Sequence, residues 1–254
     1  MFFRFVQVLL AMLVFVVPAA AEPEALSATE AGEEKLRRWL YEAALDLAGK
    51  EGNTREFGLG GSLTAVLKGP DDALKLIAEY ERKKTDGEKS TDQMLGVVDY
   101  ESFPSKYLGW YIRTALEKDV IERVKLRSTS GTGLSYRLIN QEHHTLVARS
   151  GIGYRYTRYD NDIENDSDPT MDLGLIHRYE FGRQWSLRNE VTYSPSLDDF
   201  DDYRILHDSA LEVPVGVGDF WKLRMGVRND YNNQPVVEER LDTTYYTRLV
   251  VSWQ

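Results

Sequence analysis

Cysteine is missing from all 254 residues, which excludes a disulfide framework, a thiolate metal site and a cysteine nucleophile. Basic charge is in deficit: 31 Lys and Arg stand against 41 Asp and Glu, a formal net charge of −10. Phosphate neutralisation needs a basic face, so nucleic acid is not an expected partner. Beyond residue 21 no stretch approaches the ~18 consecutive apolar residues of a membrane helix. The glycine-rich stretches (Gly58, Gly60, Gly61; Gly131, Gly133; Gly151, Gly153) carry no Lys-Ser/Thr ending and open no helix. They imply no phosphate loop, and no cofactor is expected. Large amphipathic rings are plentiful instead, with 15 Tyr and 5 Trp.

The chain opens with an export signal. Arg4 precedes the apolar run Phe5 to Val17, and Ala19-Ala20-Ala21 forms an A-x-A cleavage site, so residues 1–21 read as a signal peptide. Residues 22–38 read as a periplasmic tail in which Ser27 and Glu30 could cap a short helix. Residues 39–254 form the remaining domain.

In that domain the dominant pattern is a period of two. Trp221, Leu223, Met225, Val227 and Tyr231 alternate with Lys222, Arg224, Arg228 and Asp230, and Trp185, Leu187, Val191 and Tyr193 alternate with Ser186, Arg188, Glu190 and Thr192. Alternate side chains of a strand face opposite ways, so each segment is a strand with one greasy and one charged face. About twelve such segments follow one another. Many are ~10–13 residues long, which suits a tilted membrane strand better than a globular one.

With the N-terminus on the periplasmic side, connections returning there are short, as at 69–72, 104–106, 140–144, 182–183 and 214–219. Those on the opposite rim are mostly longer: 83–92, 118–124, 158–169, 194–201 and 232–242. Outward-phased rings sort to the two ends, with Trp39, Tyr41, Tyr179, Phe181, Trp185, Trp221 and Trp253 at one, and Tyr80, Tyr154, Tyr193, Tyr203, Tyr231 and Tyr245 at the other. Short turns on one rim, long loops on the other and two aromatic girdles together predict an all-β fold: a transmembrane antiparallel up-and-down β-barrel of about twelve strands in the outer membrane.

The inward phase holds acids and bases in equal number, so no unipolar ring marks an ion-selective pore. The bases do cluster: Arg113, Lys125, Arg127, Arg137, Arg149 and Arg155 lie on segments five to seven, facing Glu79, Glu81, Asp99 and Glu101 on segments three and four. Such an interior suits either a narrow channel for small polar solutes or a structural salt-bridge network. Surplus acid falls in loops of the far rim. Asp160, Asp162 and Glu164 alternate like calcium ligands but lack the glycine and the final glutamate of an EF-hand. Bridging of loop carboxylates to lipopolysaccharide phosphates by Mg²⁺ or Ca²⁺ is a second use for that charge.

Of the four histidines, His143 and His144 fall in a short predicted turn facing solvent, and His177 is outward near the periplasmic rim. His207 and Ser209 share an outward face, with Asn189 on the preceding strand placed to orient the imidazole. The pair resembles the His-x-Ser arrangement of outer-membrane phospholipase A, another twelve-stranded barrel, although Leu206 and Ala210 flank it in place of that family's Asn and Gly. Two rivals to a non-enzymatic barrel therefore stand: an outer-membrane lipid hydrolase using His207 and Ser209, and a soluble periplasmic β-barrel binding protein.

Over longer stretches the chain resembles the YdiY-like family, catalogued as the domain of unknown function numbered 481 and described as a putative salt-induced outer-membrane protein. The resemblance rests on Gly52-Asn53-Thr54, on Tyr193 to Arg204 with its Pro-Ser-Leu-Asp-Asp-Phe run, on Leu211 to Pro214 and on Arg228-Asn229-Asp230-Tyr231. It implies an outer-membrane barrel, with an envelope-stress component as one reading of its role, and adds no catalytic residue. Outer-membrane lipids, lipopolysaccharide and the outer-membrane assembly machinery are the expected partners. The aromatic residue that resembles that machinery's recognition signal is penultimate here, as Trp253, with Gln254 last and Arg248 where the signal often has Gly.

Overall fold

The computed structural model describes residues 37–50, 56–160, 163–181, 185–216, 220–236 and 238–254. The signal peptide and all but the last two residues of the expected tail lie outside them. Twelve strands run in order: β1 (Arg38–Lys50), β2 (Glu56–Lys68), β3 (Asp72–Thr85), β4 (Glu88–Ser102), β5 (Leu108–Asp119), β6 (Val124–Gln141), β7 (His144–Tyr159), β8 (Asp166–Phe181), β9 (Trp185–Pro195), β10 (Tyr203–Pro214), β11 (Trp221–Asn232) and β12 (Leu241–Trp253). Each pairs antiparallel with its sequence neighbours, and β1 pairs with β12 to close the barrel. The first strand starts at Arg38, one residue before the expected boundary.

Closure leaves no sheet edge, so every strand can be two-faced without exposing an unpaired ladder. The faces are sorted opposite to those of a soluble protein. Leu63, Leu134 and Ile152 are 62%, 58% and 65% exposed on the outside, while Arg127, Arg224 and Arg248 are buried inside. Rings gather at the strand ends. Trp39, Tyr41 and Trp253 stack in a row with centroids 5.8 and 5.7 Å apart, and Tyr193, Tyr203 and Tyr231 form a second row at the opposite rim.

The rim opposite Arg38 is less loopy than expected at one place. The segment read as a loop over 83–92 is a two-residue turn, Asp86-Gly87, between extended β3 and β4. Both turn residues take positive φ, 53° and 89°, the geometry that an Asp-Gly pair favours between twisted strands. A bulge at Lys83/Lys84 absorbs one residue of offset. Polar side chains on both faces hid the strand ends from the alternation.

Glycine marks where rings lie against the wall. Gly133 on β6 and Gly151 on β7 are cross-strand partners with room for no side chain: a Cβ at Gly151 would sit 2.7 Å from the Tyr111 hydroxyl and 2.3 Å from the Thr132 carbonyl. Tyr111 from β5 is completely buried there. Gly226 gives the same clearance to the Tyr246 ring.

Candidate functional site

Inside the barrel, alternation delivers arginines from most strands, and each guanidinium fork can serve two carboxylates. Arg149 (β7) crosses to β4, with Nη1 2.8 Å from Asp99 and Nη2 2.9 Å from Glu101. Ser135 donates to the same Glu101 at 2.6 Å. Beneath that guanidinium lies the Tyr111 ring, whose hydroxyl donates to Asp172 at 2.7 Å. This is the opposition of bases and acids that the alternation suggests.

The other expected lining residues find different partners. Arg113 reaches Glu190 on β9 at 3.1 Å, and Arg127 pairs with Glu117 and Glu122, each at 3.3 Å. Arg137 stacks over the Phe103 ring, and Glu81 takes Lys83 of its own strand at 2.6 Å. Glu79 accepts from Arg228 on β11 at 3.0 Å. Arg204 (β10) donates to Glu117 (β5) at 2.9 Å and also holds Asp230, while Arg224 holds Glu42 and Glu212 and Arg248 holds Asp46. Ring closure brings β9 to β11 opposite β3 and β5, so the charges neutralise one another across the interior rather than forming two walls of opposite sign.

At the far-rim mouth the structure groups carboxylates other than the expected ones. Asp160 pairs with Lys125 at 2.8 Å, Glu164 is exposed, and Asp162 lies outside the described residues. Asp166, Asp168 and Asp202 converge instead. Arg155 bridges Asp168 and Asp202, so a cation already sits among them. Burial raises the Asp202 carboxyl above its ordinary value, assisted by Asp168 and Asp199 and opposed by Arg155. A polar cavity of about 60 Å³ adjoins the cluster, lined by Arg127, Arg155, Asp202 and Arg204 among others.

On the outer face, polar side chains from six successive strands join in one hydrogen-bonded line. His144 Nε2 (β7) is 3.1 Å from His177 Nε2 (β8), and His177 Nδ1 is 3.0 Å from the Asn189 amide (β9). Asn189 Oδ1 accepts from the Ser209 hydroxyl (β10). Ser209 Oγ lies 2.9 Å from His207 Nε2, and His207 Nδ1 is 2.9 Å from the Asn229 amide (β11). Thr243 (β12) donates to Asn229 Oδ1 at 2.8 Å. The ladder register makes the line possible, because His177 is paired with Asn189, Asn189 with Ser209, His207 with Asn229 and Asn229 with Thr243.

Two expectations change here. His144 is not in a solvent-facing turn: it begins β7 and packs its ring against His177 and Tyr179. His143 does face solvent, near Glu180. Asn189 touches the serine and not the catalytic-type imidazole, whose second nitrogen faces Asn229. Asn229 could have been found by pairing the two alternating segments across their hairpin, which sets it opposite His207.

The family described as "Protein of unknown function, DUF481" matches residues 41–253. No curated protein matches the chain. Solved structures similar to it include the translocator domain of the autotransporter NalP from Neisseria meningitidis, at 12% identity over 86% of this chain and 88% of that one with a TM-score of 0.45. The NanC porin is similar at 10% identity over 84% and 97%, TM-score 0.47, and the KdgM porin at 13% over 85% and 96%, TM-score 0.42.

Proposed function

The chain belongs to the DUF481 family, and from that premise we propose that it is an integral outer-membrane barrel with a braced interior, a narrow passage for small polar solutes rather than a wide pore. The observation that carries this reading is the inversion of its faces: exposed Leu, Ile and Trp outside, buried arginines inside. A bilayer favours that inversion and water opposes it, and a closed barrel meets the bilayer's demand that every backbone group be paired. A soluble binding barrel needs the reverse sorting.

The interior supports narrowness. Arg204–Glu117, Arg113–Glu190 and Arg228–Glu79 each link strands four or five places apart in the ring of twelve, so side chains span the passage at several levels. Their mutual neutrality gives little basis for strong ion selection. The acidic far-rim loops, with Asp198, Asp199 and Asp201, suit divalent bridging to lipopolysaccharide phosphates on the extracellular side.

Cell fractionation and planar-bilayer recording test the reading. The expected result is a detergent-extracted envelope protein, shifted in gel mobility by heat, with small unitary conductance. Recovery in the soluble periplasmic fraction overturns the membrane reading, and a large open-pore conductance overturns the braced interior.

A further inference from the structure

The outward line of polar side chains has no part in a solute passage, because it lies on the face away from the interior. Six consecutive strands contribute to it, in a band otherwise occupied by Leu175, Val191, Met225 and Tyr245. Polar groups that face lipid are costly unless satisfied, and here each satisfies the next.

The line has two consistent directions of donation. In one, Thr243 donates to Asn229, Asn229 to His207 Nδ1, His207 Nε2–H to Ser209, and Ser209 to Asn189. Half-turns of the two amides about χ2 exchange their oxygens and nitrogens and reverse every bond. Asn229 Oδ1 then accepts from His207 Nδ1–H, leaving Nε2 bare to accept the Ser209 proton. Asn189 Nδ2–H now points at Ser209 Oγ, and Asn189 Oδ1 accepts from His177 Nδ1–H. Both directions keep every group bonded, and the second is the arrangement of an activated nucleophile: hydroxyl, base, and a third group fixing the base's tautomer.

We infer that Ser209, His207 and Asn229 form an acyl-hydrolase site on the outer face, taking the ester of a membrane lipid as substrate. Ser209 Oγ bonds to the acyl carbonyl carbon as its proton passes to His207 Nε2. The bond from that carbon to the glycerol oxygen breaks, and His207 returns the proton to the departing alkoxide. Water then attacks the acyl-serine, giving its proton to His207. Ser209 leaves with that proton restored, releasing a fatty acid beside the lysolipid alcohol. The Asn189 amide, at Ser209 Oγ, is placed to donate to the oxyanion of the tetrahedral intermediate. Ser209 and His207 are the catalytic residues. Asn229 is a positioning residue, acting through the imidazole.

The lipid substrate class rests on the membrane reading, which fractionation tests separately; the nucleophile is tested by chemistry. Full-length chain folded in detergent micelles is treated with a fluorophosphonate probe and the modified peptide is identified by mass spectrometry. Fatty-acid release is followed from mixed vesicles of phosphatidylethanolamine and phosphatidylglycerol. The expected result is an adduct on Ser209 and release that falls about 10³-fold in Ser209→Ala. Asn229→Ala lowers kcat with KM unchanged, and Asn229→Asp, which keeps an acceptor at Nδ1, recovers it. Heat-shifted mobility verifies the fold of each variant. Absence of an adduct on the folded wild-type chain, or release no faster than that of Ser209→Ala, overturns the proposal.

Discussion

Arg204 and Glu117 meet at 2.9 Å although their strands, β10 and β5, stand five places apart in a closed ring of twelve. Contact across almost the full ring means that this pair braces the interior rather than one hairpin. Arg204 retains Asp230 and Arg127 retains Glu122 when Glu117 is neutralised, but the carboxylate they share is lost. Glu117→Gln should therefore destabilise the barrel by about 1.5–3 kcal/mol, the worth of hydrogen bonds to a charged group, since neither guanidinium is left without a carboxylate. It should also raise unitary conductance. Urea unfolding in detergent, followed by tryptophan fluorescence, reads the first effect and bilayer recording the second.

Gly151→Ala places a methyl against the Thr132 carbonyl and the Tyr111 hydroxyl. The backbone contact cannot yield without parting β6 from β7, so a loss of about 1–3 kcal/mol is expected from overpacking. In the same unfolding assay, Tyr111→Phe should cost less in the Gly151→Ala background than on its own, since the hydroxyl, which donates to Asp172, is one of three atoms the methyl meets within 3.0 Å. Equal costs in the two backgrounds would place the whole loss on the strand pairing.

Tyr41 lies between Trp39 and Trp253 and so joins the first strand to the last. The β1–β12 ladder runs only from Tyr41↔Trp253 to Leu45↔Leu249, whereas β1 and β2 pair from Arg38↔Lys68 to Lys50↔Glu56. Tyr41→Ala removes two stacks, worth about 2 kcal/mol together. Hydrogen exchange should accelerate in β12 before any other strand, and uniform acceleration would argue against a weak seam.

Glu122, in the turn between β5 and β6, is raised above its ordinary value by burial, against the opposing pull of Arg127 and Arg204. A carboxyl raised on folding binds its proton more tightly in the folded state. Its destabilising contribution is therefore absent below the ordinary carboxylate range and complete above the raised value. Relative to Glu122→Gln, the wild-type chain should lose stability as pH rises through that window and hold a constant difference beyond it. Denaturant midpoints of the two proteins between pH 4 and pH 8 check the sign.

Strand number and facing were legible in the sequence because a period of two survives wherever one face of a strand is apolar and the other charged. Leu223, Met225 and Val227 alternating with Arg224 and Arg228 need no knowledge of their neighbours. The turn at Asp86-Gly87 was also written there, as a dipeptide, but a polar approach on both faces concealed it. Pairing inside the barrel was not legible. Whether Arg113 meets Asp99 or Glu190 depends on which strands closure sets opposite, and no local pattern encodes that. The outer polar line lay between: His207, Ser209 and Asn189 share a phase that can be read directly, while Asn229 emerges only from the register of a hairpin.

The seam between β1 and β12 has a consequence for synthesis. Arg224–Glu42 and Arg248–Asp46 join residues 182 and 202 positions apart. Such distant partners pay the greatest loop-closure entropy and form late. A chain halted before Leu241 would hold two bare edges and an interior in which Asp46 lacks its Arg248 partner, however well its hairpins were made. Completion of the ring is therefore decided by β12, the strand that pairs with both β11 and β1.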